Sequence, residues 1–467
     1  MIPMSLRDVA VLTGGSLHPP TAGDLMINGS VVTDSREASI GSLYVARVGE
    51  HADGHDYVGD AAKRGARAAL TSRPVDELPS VVVDDVQSAF GRLARGVVDR
   101  KTDMRIVGIT GSSGKTTTKD LLAQVLARAD ETVAPASSLN GEIGVPLTVC
   151  RVTPWTKFLV VEMGARRVGH IRYLTSIAPP DIAIVLNVGR AHVGEFGSRE
   201  AIARAKGELV EALAPDGVAV LNADDPLVTA MASRTEARVV TVGVVNDADV
   251  RAHTILTDQL GRATFTLQAG SHQADVELQL SGAHQVGNAL AAAAAALNCG
   301  MNIDDVAKAL SSACPLNRWR MEITERSDGV TVVNDAYNAN PESMRAGLET
   351  LVVLGHSRPP GSRTWAVLGE MLELGAESWA AHQELGRRVV ELGIDRLVVV
   401  GGGATGIAAG AEAAGGAAQT HTVPSVDDAY DLLDAELVPG DIVFLKSSRD
   451  SGLRWLGDRL AGLKVPS

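Results

Sequence analysis

Met104-Arg105-Ile106-Val107-Gly108-Ile109-Thr110-Gly111-Ser112-Ser113-Gly114-Lys115-Thr116-Thr117 is the stretch that decides the fold. Met104–Thr110 reads as an apolar strand, Gly111–Gly114 as a glycine-bearing loop and Lys115–Ala129 as a helix. A strand, a glycine loop and a helix in that order give the context in which such a loop holds phosphate. Glycines let the backbone turn tightly and aim N–H groups inward. The helix N-terminus adds partial positive charge and Lys115 a full one, and Thr116 offers its hydroxyl to Mg²⁺. Gly111, Ser112, Ser113, Gly114, Lys115, Thr116 and Thr117 are therefore the candidate ATP-phosphate residues. One position departs from the general pattern: Ile109 stands where the upstream glycine is expected, and the glycine is displaced to Gly108.

Working outward, Lys157–Met163, Asp181–Val188 and Gly217–Leu221 read as further buried strands separated by helices, which predicts a mostly parallel sheet covered on both faces. Arg251–Leu280 alternates strands and turns, so an antiparallel patch is expected there. Helices resume at His284–Leu297 and Ile303–Ala313. After a linker at Cys314-Pro315-Leu316-Asn317, a second α/β series begins with strands at Val330–Asn334, Thr364–Gly369, Arg396–Val400 and Asp441–Lys446, closing on a helix in Gly452–Leu463. Upstream lie strands at Ser42–Val48 and Ser80–Asp84 and an amphipathic helix at Val86–Arg100. Leu6–Thr13 reads as a short helix capped by Ser5 and stopped by Gly14-Gly15. The fold class is α/β in three domains: a smaller one over 1–102, a central P-loop-type domain over 103–316 and a last one over 317–467. The 467 residues suit three domains of about 150 each.

The chain carries 43 Lys and Arg against 56 Asp and Glu, a formal net charge of −13. That balance argues against nucleic-acid polymers as partners and requires any phosphate-bearing substrate to be met by a locally positive pocket. Cys150, Cys299 and Cys314 are scattered and form no CxxC pair, which speaks against a disulfide framework and a structural zinc site. No apolar run approaches the ~18 residues of a membrane span. Arg7 and Asp8 interrupt the place of a signal-peptide core, so a cytoplasmic protein is expected. Only nine of the 43 basic residues are Lys, which draws attention to each one kept.

Ligands of parallel sheets gather at the carboxyl ends of strands. Glu162 ends an otherwise apolar strand, where a carboxylate can hold a phosphate-bridging Mg²⁺ or simply form an ion pair. His192 follows the strand Asp181–Val188, and alone reads equally as a solvated histidine. Asn222-Ala223-Asp224-Asp225-Pro226 is sufficiently explained as an Asx-rich turn. Lys206 lies in the helical pattern Arg199–Ala214, where an exposed lysine is the bland reading. Arg320 follows the interdomain linker; a hinge arginine can swing onto a γ-phosphate, or sit in a surface ion pair. Asp335 and Asn338, in Asp335-Ala336-Tyr337-Asn338-Ala339-Asn340-Pro341, precede a helix and fit either caps or ligand contacts. Asn288 has poor helix propensity for its place within a helix, which suggests a contact. Gly401-Gly402-Gly403-Ala404-Thr405-Gly406 fits a dinucleotide pattern, but an Ala/Gly-rich continuation favours a structural turn.

Together these segments resemble the Mur ligase family over the whole chain. The resemblance rests on Asp34-Ser35-Arg36, Gly49 to His55, the phosphate loop with its displaced glycine, Asn140 with Gly144 to Thr148, Glu162-Met163-Gly164-Ala165, Asn187 to His192, Lys206-Gly207-Glu208, Asn222 to Asp225, Asn288, Arg320 and Asp335 to Pro341. Asn140 to Thr148, Asp335 to Pro341 and Leu368 to Gly375 with His382, together with Lys446-Ser447-Ser448-Arg449, resemble the members that join D-Ala-D-Ala to UDP-MurNAc-tripeptide. The Asp-Asn-Pro-Arg motif of the third-residue-adding members is absent. The resemblance implies a carbon–nitrogen ligase using ATP and two Mg²⁺ ions through an acyl phosphate, with Lys115, Glu162, His192, Lys206 and Arg320 catalytic. It implies a UDP-binding first domain with Ser35, Arg36, His51 and Asn140 toward the UDP-peptide, and a Rossmann-like last domain that binds D-Ala-D-Ala and closes over ATP. Asn288 and Asp335 would contact adenine and ribose. Thr116, Glu162, His192 and Lys206 would serve the metals, Lys206 after carbamylation by CO₂. A monomer is the simpler expectation for a hinged ligase. The resemblance leaves open whether the third peptide residue is meso-diaminopimelate or lysine. A related amide ligase, such as a folylpolyglutamate synthase type, and a non-catalytic ATP-binding scaffold are the competing readings.

Overall fold

In the computed structural model, which describes residues 1–190, 193–415 and 419–463, the strand at the start of the phosphate loop is Arg105–Thr110 and sits inside the largest sheet. Among the described residues that sheet has nine strands in the order His272–Ser281, Arg262–Ala269, Val250–Thr257, Arg238–Gly243, Val218–Asn222, Ile182–Val185, Arg105–Thr110, Phe158–Glu162 and Thr132–Val133. From Thr132–Val133 to Val250–Thr257 neighbouring strands run parallel, and the other two continue antiparallel. Val107, Val160, Ile184 and Val220 are fully buried, as the unbroken apolar runs of parallel strands require. In the antiparallel part burial alternates along each strand, because one face meets solvent. Ala289–Ala296 are completely buried in the helix Gln285–Asn298, which packs on the helix Lys115–Leu126. Alanine provides close approach there without long side chains to accommodate.

Among the described residues three smaller sheets accompany the central one, the least of them the antiparallel pair Met4–Ser5 and Met26–Ile27. Ser16–His18, Ser80–Val82, Ala68–Thr71, Leu43–Val45 and Val31–Val32 form the N-terminal sheet, parallel except for Ser16–His18. The C-terminal sheet runs Glu322–Glu325, Thr331–Asn334, Ile442–Lys446, Thr364–Leu368, Arg396–Val400 and Gln419–Val423, parallel except for Glu322–Glu325. The helix Leu6–Thr13 carries the expected Ser5 cap and ends on Gly14 at φ 65°. The strand expected over Ser42–Val48 is confined to Leu43–Val45, since the chain turns away toward a bridge between Val48 and Asp53. Thr132–Val133, Arg238–Gly243 and Gln419–Val423 are strands that the periodicity does not announce.

The linker is fastened to the phosphate-loop helix. The Gln124 side-chain amide donates to the Cys314 carbonyl and accepts from the Cys314 N–H, both at 3.0 Å, and Asn317 donates to Asp120. Beyond it, Trp319 (φ 59°) and Met321 (φ 52°) lie in the left-handed region on either side of Arg320. Such positions cost of order 1–3 kcal/mol each and persist only where surroundings impose them. Here the Trp319 indole N–H and the Arg318 guanidinium both donate to buried Asp458, at 3.0 and 2.8 Å.

Candidate active site

The phosphate loop leaves its strand at Thr110 and turns into the helix through Gly114, whose φ of 80° favours glycine. Its open shape is held from the neighbouring strand. Asn187, just past Ile182–Val185, accepts the N–H groups of Ser112 and Ser113 with its Oδ1, both at 2.9 Å. The Ser112 hydroxyl accepts the Gly189 N–H at 2.9 Å. Lys115 folds back to donate to the Gly111 carbonyl at 2.7 Å. Burial lowers its pKa, Glu162 opposing and Arg320 adding to the effect.

Parallel pairing puts Glu162 opposite Ile109, one residue before the loop strand ends. There Glu162 is 1% exposed. One of its oxygens accepts the Thr116 hydroxyl at 2.9 Å and the other the Asn140 amide at 2.8 Å. Since Thr116 donates to Glu162, the Ser138 hydroxyl donates to Thr116, at 2.9 Å. Arg320 reaches the same spot from the C-terminal sheet's side of the linker, donating to Thr116 at 3.0 Å and Ser138 at 2.9 Å. Its guanidinium lies 4.3 Å from the centre of the Tyr337 ring, and its Nε is buried without a partner among the described residues.

Lys206 is buried at 5% exposure rather than lying on a solvated helix face. Among the described residues its ammonium has no acceptor, and burial, followed by repulsion from Lys115, pushes its pKa well below the ordinary lysine value. The helix around it is clamped: Arg234 donates to the carbonyls of Ala203 and Arg204 at 3.1 and 2.9 Å, and Gly207 leaves room for that guanidinium.

Two cavities meet at the loop. One, of about 700 Å³, is lined by Lys115, Thr116, Asn140, Glu162, Lys206 and Arg320 and, from the last domain, by Asp335 and Asn338. The other, of about 810 Å³, is lined by Ser113, Gly114, Thr117, Asn288, His284 and Asp335. Asn288 donates to Gln285 at 2.7 Å, and its carbonyl faces Gly114. Asp335 accepts from Lys446 Nζ at 2.6 Å and from the Met321 N–H at 3.0 Å, so the last sheet's strand ends bear on the hinge that carries Arg320.

The structure thus gathers Gly111, Ser112, Ser113, Gly114, Lys115, Thr116, Thr117, Asn140, Glu162, Lys206, Asn288, Arg320, Asp335 and Asn338 around one cleft. Ser35, Arg36 and His51 line neither cavity. Ser35 is buried, and Arg36 is folded onto its neighbour Asp34 at 2.6 Å. His192 lies outside the described residues. Asn222 to Asp225 is a turn as its composition suggests: Asp224 accepts the N–H groups of Val244 and Asn246, and Asp225 caps the helix Pro226–Thr229. Residue-by-residue reading assigns no role to Ser138, Asn187 or Lys446. Asn187 and Lys446 stand at or just past buried strand ends, in segments that carry the family resemblance, and Ser138 gives no signal.

Comparison with known proteins agrees with the geometry. The model described as Mur ligase family, catalytic domain, matches residues 29–96; Mur ligase middle domain matches 109–296; and Mur ligase, glutamate ligase domain, matches 319–449. The UDP-N-acetylmuramoyl-tripeptide--D-alanyl-D-alanine ligase of Mycobacterium tuberculosis is 45% identical over 98% of both chains. The solved UDP-N-acetylmuramoylalanyl-D-glutamyl-2,6-diaminopimelate--D-alanyl-D-alanyl ligase of Acinetobacter baumannii superposes with a TM-score of 0.84 at 30% identity, covering 98% of each chain. MurF ligase from Thermotoga maritima, solved with ADP, gives 0.79 at 28% identity, covering 93% of this chain and 99% of that one. With its phosphate loop, the arginine beyond the linker and a buried lysine in one cleft, and relatives this similar along its length, the chain belongs to the Mur ligase family.

Proposed function

We propose that the chain is an ATP-dependent carbon–nitrogen ligase that joins D-alanyl-D-alanine to UDP-N-acetylmuramoyl-tripeptide, releasing ADP and phosphate, in peptidoglycan precursor synthesis. The observation that carries this reading is the convergence of Lys115, Glu162, Lys206 and Arg320 on one cavity beside the phosphate loop. The names of the relatives supply the substrates.

A carboxylate resists attack by an amine because an oxide would have to leave. In this reading the peptide's terminal carboxylate oxygen bonds to the γ-phosphorus of ATP as the bond to ADP breaks, giving an acyl phosphate. The amine of D-alanyl-D-alanine adds to the acyl carbon and loses a proton, and phosphate leaves. Positioning and charge neutralisation account for most of the catalysis in phosphoryl transfer. Lys115 and Arg320 hold the phosphates from two sides of the cleft, the planar guanidinium meeting two oxygens at once. Asn288 and Asp335 hold the adenine and ribose in the neighbouring cavity, with Asn338 close by.

Thr116 and Glu162 offer hard oxygen donors suited to Mg²⁺, which takes few protein ligands and keeps water and phosphate oxygens as the rest. When bound, the ion neutralises charge developing on the phosphates. His192 is the further ligand the family resemblance suggests. An ammonium at Lys206 does not suit a second ion, whereas a carbamate does. The lowered pKa makes the neutral amine available; its lone pair bonds to the carbon of CO₂, and a proton leaves to give the anion. Residues 1–102 hold the UDP group with Ser35, Arg36 and His51, residues 103–316 hold ATP, and residues 317–467 bring D-alanyl-D-alanine and close over the nucleotide. Asn140, bonded to Glu162, faces the peptide. The enzyme works as a monomer in the cytoplasm.

The test is phosphate release from ATP by the purified protein. Release that requires both UDP-MurNAc-tripeptide and D-alanyl-D-alanine is expected; release with folates, or none with any acceptor, overturns the assignment. For the carbamate, Lys206→Ala nearly abolishes ligation and bicarbonate with a short carboxylic acid partly restores it, while full activity without rescue sinks that role.

A further inference from the structure

We infer that Arg166 and Arg167 form a binding site for a carboxylate of the peptide donor other than the one that is activated. This rests on the functional reading above and adds to it the chemistry by which the peptide is recognised. Both arginines follow the strand Phe158–Glu162 within five residues and line the same cavity as Glu162 and Lys206.

Both are solvent-exposed at the cavity mouth, the Arg166 side chain at 70%, and three observations bear on their role. First, their turn is fastened to the helix that carries Lys206. Glu208, two residues past Lys206 and 2% exposed, accepts the backbone N–H groups of Gly169 at 2.6 Å and Arg172 at 3.0 Å. The arginines are thereby held in register with the reacting centre. Second, the guanidinium of Arg167 is oriented without being neutralised. Its Nε donates to His170 Nε2 at 2.7 Å, and its two terminal nitrogens have no acceptor among the described residues. Arg166 meets a carboxylate only at 4.0 Å, that of Glu373. Several other arginines meet a carboxylate more closely: Arg363 with Asp441 at 2.6 Å, Arg358 with Glu325 at 2.8 Å and Arg388 with Glu349 at 3.0 Å. Third, the nearby carboxylate of Glu142 forms no ion pair with either arginine among the described residues; it lies 3.7 Å from His170 Nε2.

A planar guanidinium with both terminal nitrogens open matches a carboxylate in a bidentate fork. A donor peptide of the kind for which the Acinetobacter baumannii enzyme is named carries two such groups besides the reacting one, on its D-glutamyl and its 2,6-diaminopimelate residues.

The experiment measures steady-state ligation by the full-length protein with UDP-MurNAc-tripeptides ending in diaminopimelate or in lysine. Arg167→Ala and the double variant Arg166→Ala/Arg167→Ala are expected to raise the KM for the donor peptide about tenfold or more, the loss of a charge-assisted hydrogen bond. kcat and the KM for ATP stay within about twofold of the parent, and Arg167→Lys, keeping charge without the fork, falls between. A rise confined to the diaminopimelyl peptide assigns the carboxylate to the third residue; a rise with both peptides assigns it to the D-glutamyl residue. An unchanged donor KM in the double variant, or a loss in kcat alone, overturns the site. A parent protein that releases no phosphate with either peptide fails the functional reading instead.

Discussion

The junction at Gly111–Gly114 and the one at Gly401–Gly406 share a pattern and differ in purpose. Each follows a buried parallel strand and leads into a helix, and each holds a glycine in the left-handed region, Gly114 at φ 80° and Gly401 at φ 87°. At the first, the surroundings add positive charge and fixed N–H groups: Lys115 from the helix, Arg320 from beyond the linker, and Asn187 holding the loop amides in place. At the second, the carboxylate of Glu370 presses on Gly403, the wrong sign for a phosphate. The glycines that follow serve packing. A side chain on Gly410 would run into the Gln383 carbonyl, and one on Gly386 into that of Ile407, so the helices Ser378–Glu391 and Thr405–Ala413 touch backbone to backbone. Glycine spacing encodes what the backbone is free to do; the charge delivered by distant segments decides whether a phosphate binds.

That contrast is open to direct attack. Lys115→Ala should show the largest effect, a fall in ligation rate of about 10³-fold or more, comparable to removing a main electrostatic stabiliser of the transition state, in single-turnover assays. Retained turnover would make the first loop as structural as the second. Gly114→Ala should weaken ATP binding by about tenfold, the equivalent of the roughly 1–2 kcal/mol cost of a left-handed alanine, measured by nucleotide titration calorimetry. Its new Cβ also collides with the Asn288 carbonyl and displaces a side chain that lines the nucleotide cavity, which adds to the loss. Gly410→Ala should act on folding instead, lowering stability by about 1–3 kcal/mol in urea titrations while the KM for ATP stays put. A shift in that KM would draw the second glycine set into nucleotide binding. Gly402→Ala should do least, within about 0.5 kcal/mol, because nothing lies near its added methyl and its φ is ordinary. Any loss of activity from it would mean the second loop touches a ligand.

Much of this was legible locally. The phosphate loop, the antiparallel patch and the helix Val86–Asp99 follow from periodicity and caps, which depend on neighbours a few residues apart. Arg238–Gly243 escaped because its exposure is mixed, and Thr132–Val133 because two residues show no period. Within the site, Lys115 announced itself through the phosphate-loop motif and Glu162 as a polar group at a strand end. Asn187 and Ser138 did not, since their value lies in what they hold: loop amides in one case and Thr116 with Arg320 in the other. Lys206 looked like an ordinary helix lysine, and its burial is decided by the elements packed around it.

The sequence by itself determined the elements and the loop, because turn geometry, helix caps and hydrophobic period are set within a few residues. Only the tertiary structure decided that Arg320 meets Thr116 across 204 residues, that Lys206 is buried beside Lys115, and that Arg166 and Arg167 share a cavity with both. Burial and charge proximity are sums over everything nearby in space, and the chain order of this protein does not list what is near.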